Sequence, residues 1–547
     1  MFSFLLLEAP FVEPSLPRPY LDVAGDLLRG SGHTVQTLDL NARIYRHLLD
    51  LPLPPLLVAP CGRLALRDSL IKAFFLTRET SDSDAPLAYG VRGLEGPLLS
   101  AFDAEDYGAL ERHRLDTMRR MTGAAPFAGH QQYVVDQEFL NAILDLRVKG
   151  YGVKASLSLE GLSFAPECSE PHYWSRFLSE PGNLIEQLAC DATEGLLEFP
   201  CEAVFIRVGC FAQIAGAIAV AGWLKRGNVG QVILAGGVLY DQASCSGFRL
   251  IESTDAVMPY ELPEAIQHYL AELGATTAAP VSVTVTELQV SRSVTGDRSD
   301  YLTPLSVASL QATVGCYWSR CAFCSVPAYS DRFGSASPEK LVAALEDLAV
   351  AGTKGIQFLD YALPYPLLSA LAESSLSGVH WAGQVRFEAF LLCENLLSNL
   401  YRSGCTSLSF GFESGSPGLL AQMDKGGCTE NSLRRDILRT SAQAGIRNHL
   451  FLITGLPGES EEDFLATVDF LHGARQWVHS IEVYPFQMQT GSLISRCPDR
   501  FAALPVVSGT TARARAEALQ ETFSYLSAQS AMNDWLEGHI PLMRSLV

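Results

Sequence analysis

Gly315-Cys316-Tyr317-Trp318-Ser319-Arg320-Cys321-Ala322-Phe323-Cys324 gathers three of the chain's thirteen cysteines on one short loop. Three thiolates this close in sequence can converge on one metal centre. Two chemistries stay open. A structural zinc takes four closed ligands, as paired Cys-x-x-Cys or with His nearby. No fourth Cys or His stands in this loop or just beyond it. A [4Fe–4S] cluster normally takes four thiolates, so three would leave one iron open to a substrate or cofactor. The other ten cysteines stand alone: Cys61, Cys168, Cys190, Cys201, Cys210, Cys245, Cys393, Cys405, Cys428 and Cys497. They read as small buried hydrophobes in a reducing compartment.

Around this loop, strand and helix patterns alternate. Strands are predicted at 309–314, 355–359, 380–385, 406–410, 449–454 and 480–484. Helices are predicted between them, among others at 338–350, 431–444 and 461–471. Such alternation predicts a parallel sheet. Six strand–helix units over 303–500 predict a partial (β/α)6 TIM-type barrel, short of the usual eight. The stretch 501–547 is predicted helical.

The N-terminal half carries a second α/β pattern, in strands at 4–7, 34–38, 203–208, 232–234 and 255–258 and helices at 20–29, 214–225 and 262–273. This predicts a Rossmann-like domain over 1–273 with a mostly helical insertion at about 41–195. The Ala-, Thr- and Ser-rich stretch 274–302 is predicted to be the linker. No GxGxxG turn follows the first strand, so dinucleotide binding is not indicated.

Of the 547 residues 48% are hydrophobic and 18% charged, enough apolar surface for large cores. Forty Lys and Arg against sixty Asp and Glu leave a net charge of −20, which opposes nonspecific binding to nucleic acid or an anionic membrane. The first residues have no basic n-region and include Glu8, and the charge-free run 214–224 is too short to span a bilayer. The expected location is the cytoplasm.

The cysteine loop resembles that of radical SAM enzymes, whose signature is Cys-x3-Cys-x2-Cys with an aromatic before the last Cys. Phe323 holds the aromatic place; four residues rather than three separate Cys316 from Cys321. Four further stretches resemble the same family in the same order. They are Leu359-Asp360, Val385-Arg386-Phe387-Glu388, Gly411-Phe412-Glu413-Ser414-Gly415-Ser416 followed by Met423-Asp424-Lys425-Gly426, and Thr454-Gly455-Leu456-Pro457-Gly458-Glu459. Pro485-Phe486 and Gly491-Ser492 resemble a late strand-end turn. In the N-terminal half, 5–10, 32–41 and the Gly236-Gly237 turn resemble the cobalamin-binding domain of one radical SAM branch. The Asp-x-His-x-x-Gly motif of other cobalamin proteins is absent.

The resemblance implies that Cys316, Cys321 and Cys324 hold a [4Fe–4S] cluster. It implies S-adenosyl-L-methionine contacts from Phe323, Asp360, Arg386, Glu388, Glu413, Ser414 and Gly455. It implies a corrin face made by Pro10, Arg207, Val208, Gly236, Gly237 and Glu261. The implied activity is cobalamin-dependent C-methylation of a natural-product or ribosomal-peptide substrate, through a 5′-deoxyadenosyl radical and methylcobalamin. Flavodoxin or ferredoxin would supply electrons. A cyclase or rearrangement enzyme without methyl transfer is one alternative, and a non-catalytic metal-bearing SAM-binding scaffold or sensor is another. Methylthio transfer would call for a further three-cysteine cluster domain, which the scattered cysteines do not supply.

Plainer readings stand beside these. Arg386 and Glu388 also read as a surface pair. Glu413 also reads as a helix cap, Gly455 as a turn residue, and the corrin set as loop chemistry at any sheet's switch point. Trp318 and Arg320 read equally as cavity or solvent-side residues. His380 and His449 read as structural.

Overall fold

The structure is a computed structural model that describes residues 2–12, 19–53, 107–125, 130–150, 155–159, 161–164, 181–194, 201–210, 213–227, 229–240, 254–273, 301–303, 306–329, 333–374, 376, 378–393, 395–489, 491–501 and 504–535. Most of the predicted linker and much of the predicted insertion lie outside the described residues. The chain divides into two compact units.

The first unit is built on five strands: β1 (Ser3–Glu8), β2 (Thr34–Asp39), β5 (Ala203–Arg207), β6 (Gln231–Ala235) and β7 (Ala256–Met258), with β3 and β4 described below. They pair in the order β2-β1-β5-β6-β7, all parallel. Alternate residues feed two cores, as a sheet covered on both faces requires. Leu5, Leu7, Val204 and Ile206 enter one core. Phe4, Leu6, Ala203 and Phe205 enter the other. Helices Pro19–Gly30, Ile214–Arg226 and Leu262–Glu272 supply the covering layers. The strand order reverses between β1 and β5, which makes their C-terminal ends the topological switch point.

Within the predicted helical insertion, helices Leu40–Asp50, Tyr107–Met121, His130–Gly150 and Leu184–Thr193 are joined by a hairpin that the sequence reading missed. Its strands are β3 (Ala155–Ser158) and β4 (Gly161–Phe164), paired antiparallel. The Tyr45 hydroxyl ties it down by donating to Ser158 O at 2.8 Å.

The second unit holds β8 (Val307–Leu310), β9 (Thr313–Val314), β10 (Gly334–Ser335), β11 (Gly355–Phe358), β12 (His380–Val385), β13 (Cys405–Glu413), β14 (Arg447–Thr454) and β15 (Ser480–Pro485). Six of them form a parallel sheet in the order β15-β14-β13-β12-β11-β8. This is the expected six-unit open barrel. Two of its longer helices begin with side-chain caps. Ser337 caps Pro338–Val350, and Ser460 with Asp463 forms a capping box on Glu461–Ala474.

The single strand predicted at 309–314 is in fact two. After Leu310 the chain leaves the sheet, and β9 pairs antiparallel with β10 instead. The cause is Asp360, whose carboxylate accepts the N–H groups of Ala312 and Thr313. Helix Gly509–Trp535 closes the edge at β15, where the Gln520 amide donates to Ile481 O and accepts from Val483 N. An edge strand covered in this way presents fewer unpaired groups. Among the described residues no helix is long and apolar enough to cross a membrane.

Candidate active site

The cysteine loop follows β9, at the C-terminal end of the first barrel strand, where barrel active sites form. Asp360 anchors its start. The side chain is fully buried and accepts from Ala312 N at 3.0 Å, Thr313 N at 2.5 Å and Thr313 Oγ1 at 2.6 Å. Burial pushes its carboxyl up to about 6, while the three donors pull it down. With these bonds made, Asp360 acts on the loop rather than facing a ligand.

The residue that lengthens the Cys316–Cys321 spacing is absorbed by a turn. Ser319 adopts φ 48° and its hydroxyl donates to Cys316 O at 2.5 Å. Trp318 then folds over the Asp424-Lys425-Gly426-Gly427 turn, and its indole N–H donates to Asp424 O at 2.7 Å. Gly426 is required there. Its φ is 62°, and a Cβ would meet the Trp318 ring at 2.0 Å. Arg320 adds an ion pair to Asp424 at 3.0 Å and stays 63% exposed, which settles its place on the solvent side.

Arg386 joins the loop to the sheet. It is 5% exposed, so the surface-pair reading does not hold. Its guanidinium donates to Glu388 Oε1 at 3.2 Å, to Cys321 Sγ at 3.8 Å and to Lys425 O. Its flat face lies 4.9 Å from the Trp318 ring. A planar fork with several donors suits such a junction, and Lys could not replace it. Beside it, burial and the Glu388 carboxylate raise the Tyr317 phenol.

Glu413 sits at the end of β13 with φ 58°, beyond a register shift against β14. A non-glycine residue holds this conformation only where its surroundings impose it. Arg434 does so. It is buried and donates to Phe412 O at 2.7 Å and Ser414 O at 2.8 Å, the carbonyls on either side of Glu413. Its guanidinium stacks 3.7 Å from the Phe412 ring, and burial pulls it down to about 9. The Glu413 carboxylate turns to Lys425 Nζ at 2.6 Å, and Gly411 leaves the room for that pair. The predicted cap role of Glu413 belongs instead to Ser416, whose side chain accepts from Leu419 N. Ser414 is buried, with its hydroxyl against Thr467 Oγ1 at 3.3 Å and Ser416 N at 3.1 Å. Gly455, φ 79°, donates to Glu459 and lies where a Cβ would meet Ala512 at 2.5 Å, so it packs against the C-terminal helix.

The Cys324 thiol feels the other two. Burial pushes Cys324 up to about 12, with Cys321 and Cys316 adding to the rise. Burial also raises Cys321, opposed by Lys425 and Arg386. Two cations beside half-buried thiols fit a centre that binds thiolates and takes up negative charge. Phe323 packs with Ala322 and Met423 under the loop, 5.9 Å from Lys425 Nζ. Among the described residues no three Cys, His, Asp or Glu side chains gather closely enough to hold a single metal ion. Lys425, Arg434 and the Trp318–Gly426 clasp were not named from the sequence as site residues. The Met423-Asp424-Lys425-Gly426 motif was the available signal for Lys425.

In the first unit the corrin-face candidates lie at the C-terminal ends of β1, β5, β6 and β7, though mostly as internal struts. Arg207 bridges Glu8 Oε1 at 2.8 Å and Glu261 Oε2 at 3.7 Å and lies 4.0 Å from the Tyr20 ring. Gln213 donates to Glu8 Oε1 at 2.9 Å. Burial raises the Glu261 carboxyl, with Arg207 opposing it. Pro10 packs on Gly216, where a Cβ would meet its ring at 2.8 Å. Val208, Gly236 and Gly237 are buried, and Val208 O would lie 2.0 Å from a Cβ on Gly236. Glu8 Oε2 is buried without a hydrogen-bond partner among the described residues.

Comparison with known proteins agrees with this geometry. Residues 310–471 match the radical SAM superfamily model, so this segment is a radical SAM domain. Among curated relatives, the ribosomal protein uS12 methylthiotransferase RimO of Pelotomaculum thermopropionicum is 27% identical over 234 residues, 41% of this chain and 51% of that protein. RimO of Saccharopolyspora erythraea is 29% identical over 203 residues, 34% of this chain and 40% of that protein. The chain thus spans about half the length, or less, of these relatives. Among solved structures, the radical S-adenosylmethionine methyltransferase TsrM of Kitasatospora setae, with cobalamin and a [4Fe–4S] cluster bound, superimposes with a TM-score of 0.52. The match covers 90% of this chain and 77% of that one at 13% identity, a likeness of fold.

Proposed function

We propose that the chain is a cobalamin-dependent radical SAM methyltransferase that acts on carbon in a small-molecule or peptide substrate. The observation that carries the reading is the loop of three cysteines at a barrel strand end, with Arg386 donating to Cys321 Sγ and Lys425 beside it. Three cysteines with no fourth Cys or His in the loop suit a cluster with one open iron better than a closed four-ligand zinc site. Cys316, Cys321 and Cys324 would hold a [4Fe–4S] cluster with one iron left for SAM. Such a cluster supplies the electron that cleaves SAM to a 5′-deoxyadenosyl radical.

The chain's own residues do the positioning. Asp360, Trp318 and Gly426 fix the loop, and Arg386 places an N–H on Cys321 Sγ. The Glu413–Lys425 pair offers a carboxylate and an ammonium to the polar groups of SAM, and Phe323 offers an aromatic edge. In the first unit, Pro10, Val208, Gly236 and Gly237 would form the floor for a corrinoid, with Arg207 and Glu261 bracing it from beneath. The unpartnered Glu8 Oε2 fits a ligand rich in amide N–H groups. Cobalamin would carry the methyl group. The matches to RimO favour a second reading, methylthio transfer, which shares the cluster and SAM.

Anaerobic purification with cobalamin supplied, followed by iron, sulfide and cobalt analysis, tests the proposal. The expected result is about four irons with matching sulfide and stoichiometric corrinoid. Iron without cobalt removes cobalamin dependence, and zinc without sulfide removes the reading altogether.

A further inference from the structure

Among the described residues, Arg386 is the only side chain that donates to a cysteine sulfur of the loop, through Nη1 to Cys321 Sγ at 3.8 Å. Its other donors are engaged elsewhere, Nε with Glu388 Oε1 at 3.2 Å and Nη2 with Lys425 O. The fork therefore has one orientation, with the carboxylate on its Nε side and the sulfur on its Nη1 side. The side chain is only 6% exposed, so water screens its charge poorly.

A second layer holds the guanidinium there. The Trp318 ring lies 4.9 Å from it. Trp318 is itself fixed by its bond to Asp424 O at 2.7 Å and by its seat on Gly426. It belongs to the lengthened interval between Cys316 and Cys321, where the left-handed turn at Ser319 takes up the added residue. The neighbouring cations are placed differently. Arg320 is 63% exposed and paired with Asp424 at 3.0 Å, and Lys425 is paired with Glu413 at 2.6 Å.

A hydrogen bond and a positive charge at a cluster thiolate both withdraw electron density from it. Their effect is larger on the reduced state, which carries one more negative charge. An N–H fixed on Cys321 Sγ therefore favours one-electron reduction. We propose that Arg386, clamped by Trp318, sets the reduction potential of the cluster and holds it above the value the three thiolates alone would give. The inference rests on the reading of Cys316, Cys321 and Cys324 as ligands of a [4Fe–4S] cluster. It makes Arg386 a positioning residue that acts through Cys321, and it gives the longer cysteine spacing a purpose.

Redox titration of the reconstituted protein with titanium(III) citrate, without SAM, reads the potential from the EPR signal of the reduced cluster. Iron and sulfide are measured on the same samples. In Arg386→Gln the ratio of reduced to oxidised cluster at the wild-type midpoint is expected to fall about tenfold, or about 59 mV for a one-electron couple. Trp318→Leu keeps the guanidinium without its clamp, and a fall of about threefold is expected. Arg386→Lys restores the charge without the fork and brings the ratio back to within about threefold of wild type. Arg320→Gln leaves the potential unchanged. The proposal is overturned if Arg386→Gln keeps the wild-type potential, or if Arg320→Gln shifts it as far. It is also overturned if Arg386→Gln and Trp318→Leu load no iron, because the pair would then be a structural prop. Wild-type protein that takes up no iron and sulfide overturns the functional reading itself, whereas a loaded cluster with an unmoved potential overturns this inference alone.

Discussion

Cys324→Ala is expected to strip the chain of its cluster while leaving it folded. Iron should fall from about four per chain to less than one, and 5′-deoxyadenosine formation from SAM should drop below detection. The cause is ligand count. Three thiolates leave one open iron, and two do not hold the cluster. The protein itself loses only a small buried group, at a cost of about 1 kcal/mol, so circular dichroism and the thermal transition should barely change. Cys393→Ala is the control, since that thiol is exposed and outside the loop. If Cys324→Ala retains full iron, the ligand assignment is wrong. If Cys393→Ala loses iron as well, the loss is not specific to the loop.

Asp360→Asn is expected to act on the same loop from below. The carboxylate accepts from Ala312 N, Thr313 N and Thr313 Oγ1. Asn keeps one acceptor oxygen and turns an NH2 towards buried donors, so about 3 kcal/mol of stability should be lost. Cluster loading should fall with it, because the backbone that precedes Cys316 is no longer held. The pH dependence has a definite sign. Burial raises the folded carboxyl from 3.8 to about 6, so the folded chain binds the proton more tightly than the unfolded chain. Its contribution is fully present below about pH 4 and is lost as pH rises through about 6. The advantage of the wild type over Asp360→Asn should therefore widen as pH falls from 7 to 4 in urea melts of the apo protein. An advantage that narrows over that range would contradict the assignment.

Much of the barrel was legible because its strands and helices recur with regular apolar periods. The pattern at 338–350 matches helix Pro338–Val350, and that at 380–385 matches β12. What escaped was set by contacts between distant residues. The strand predicted at 309–314 breaks because Asp360, far along the chain, claims its N–H groups. Glu413 was expected at SAM, with a helix cap as the plainer reading, and nothing nearby in sequence announced Lys425 Nζ or the Arg434 fork. Arg434 sits in a polar helical stretch and gave no sign of being buried among Phe387, Phe412 and Phe470. His449 read as structural from its place near the start of a strand, whereas the register sets it on the inner wall beside Glu482. The hairpin β3–β4 has strands of four residues, too short for a clear period.

The central claim is that one barrel cleaves SAM in two ways, by electron transfer and by methyl donation to a corrinoid. The most direct measurement is the set of products formed from SAM by the reduced, reconstituted protein with and without added cobalamin. The account predicts 5′-deoxyadenosine in both samples and S-adenosylhomocysteine only when cobalamin is present. If 5′-deoxyadenosine forms without S-adenosylhomocysteine in either sample, methyl transfer is contradicted and a cyclase or rearrangement enzyme remains. If neither product forms, both modes of SAM cleavage are contradicted for this domain.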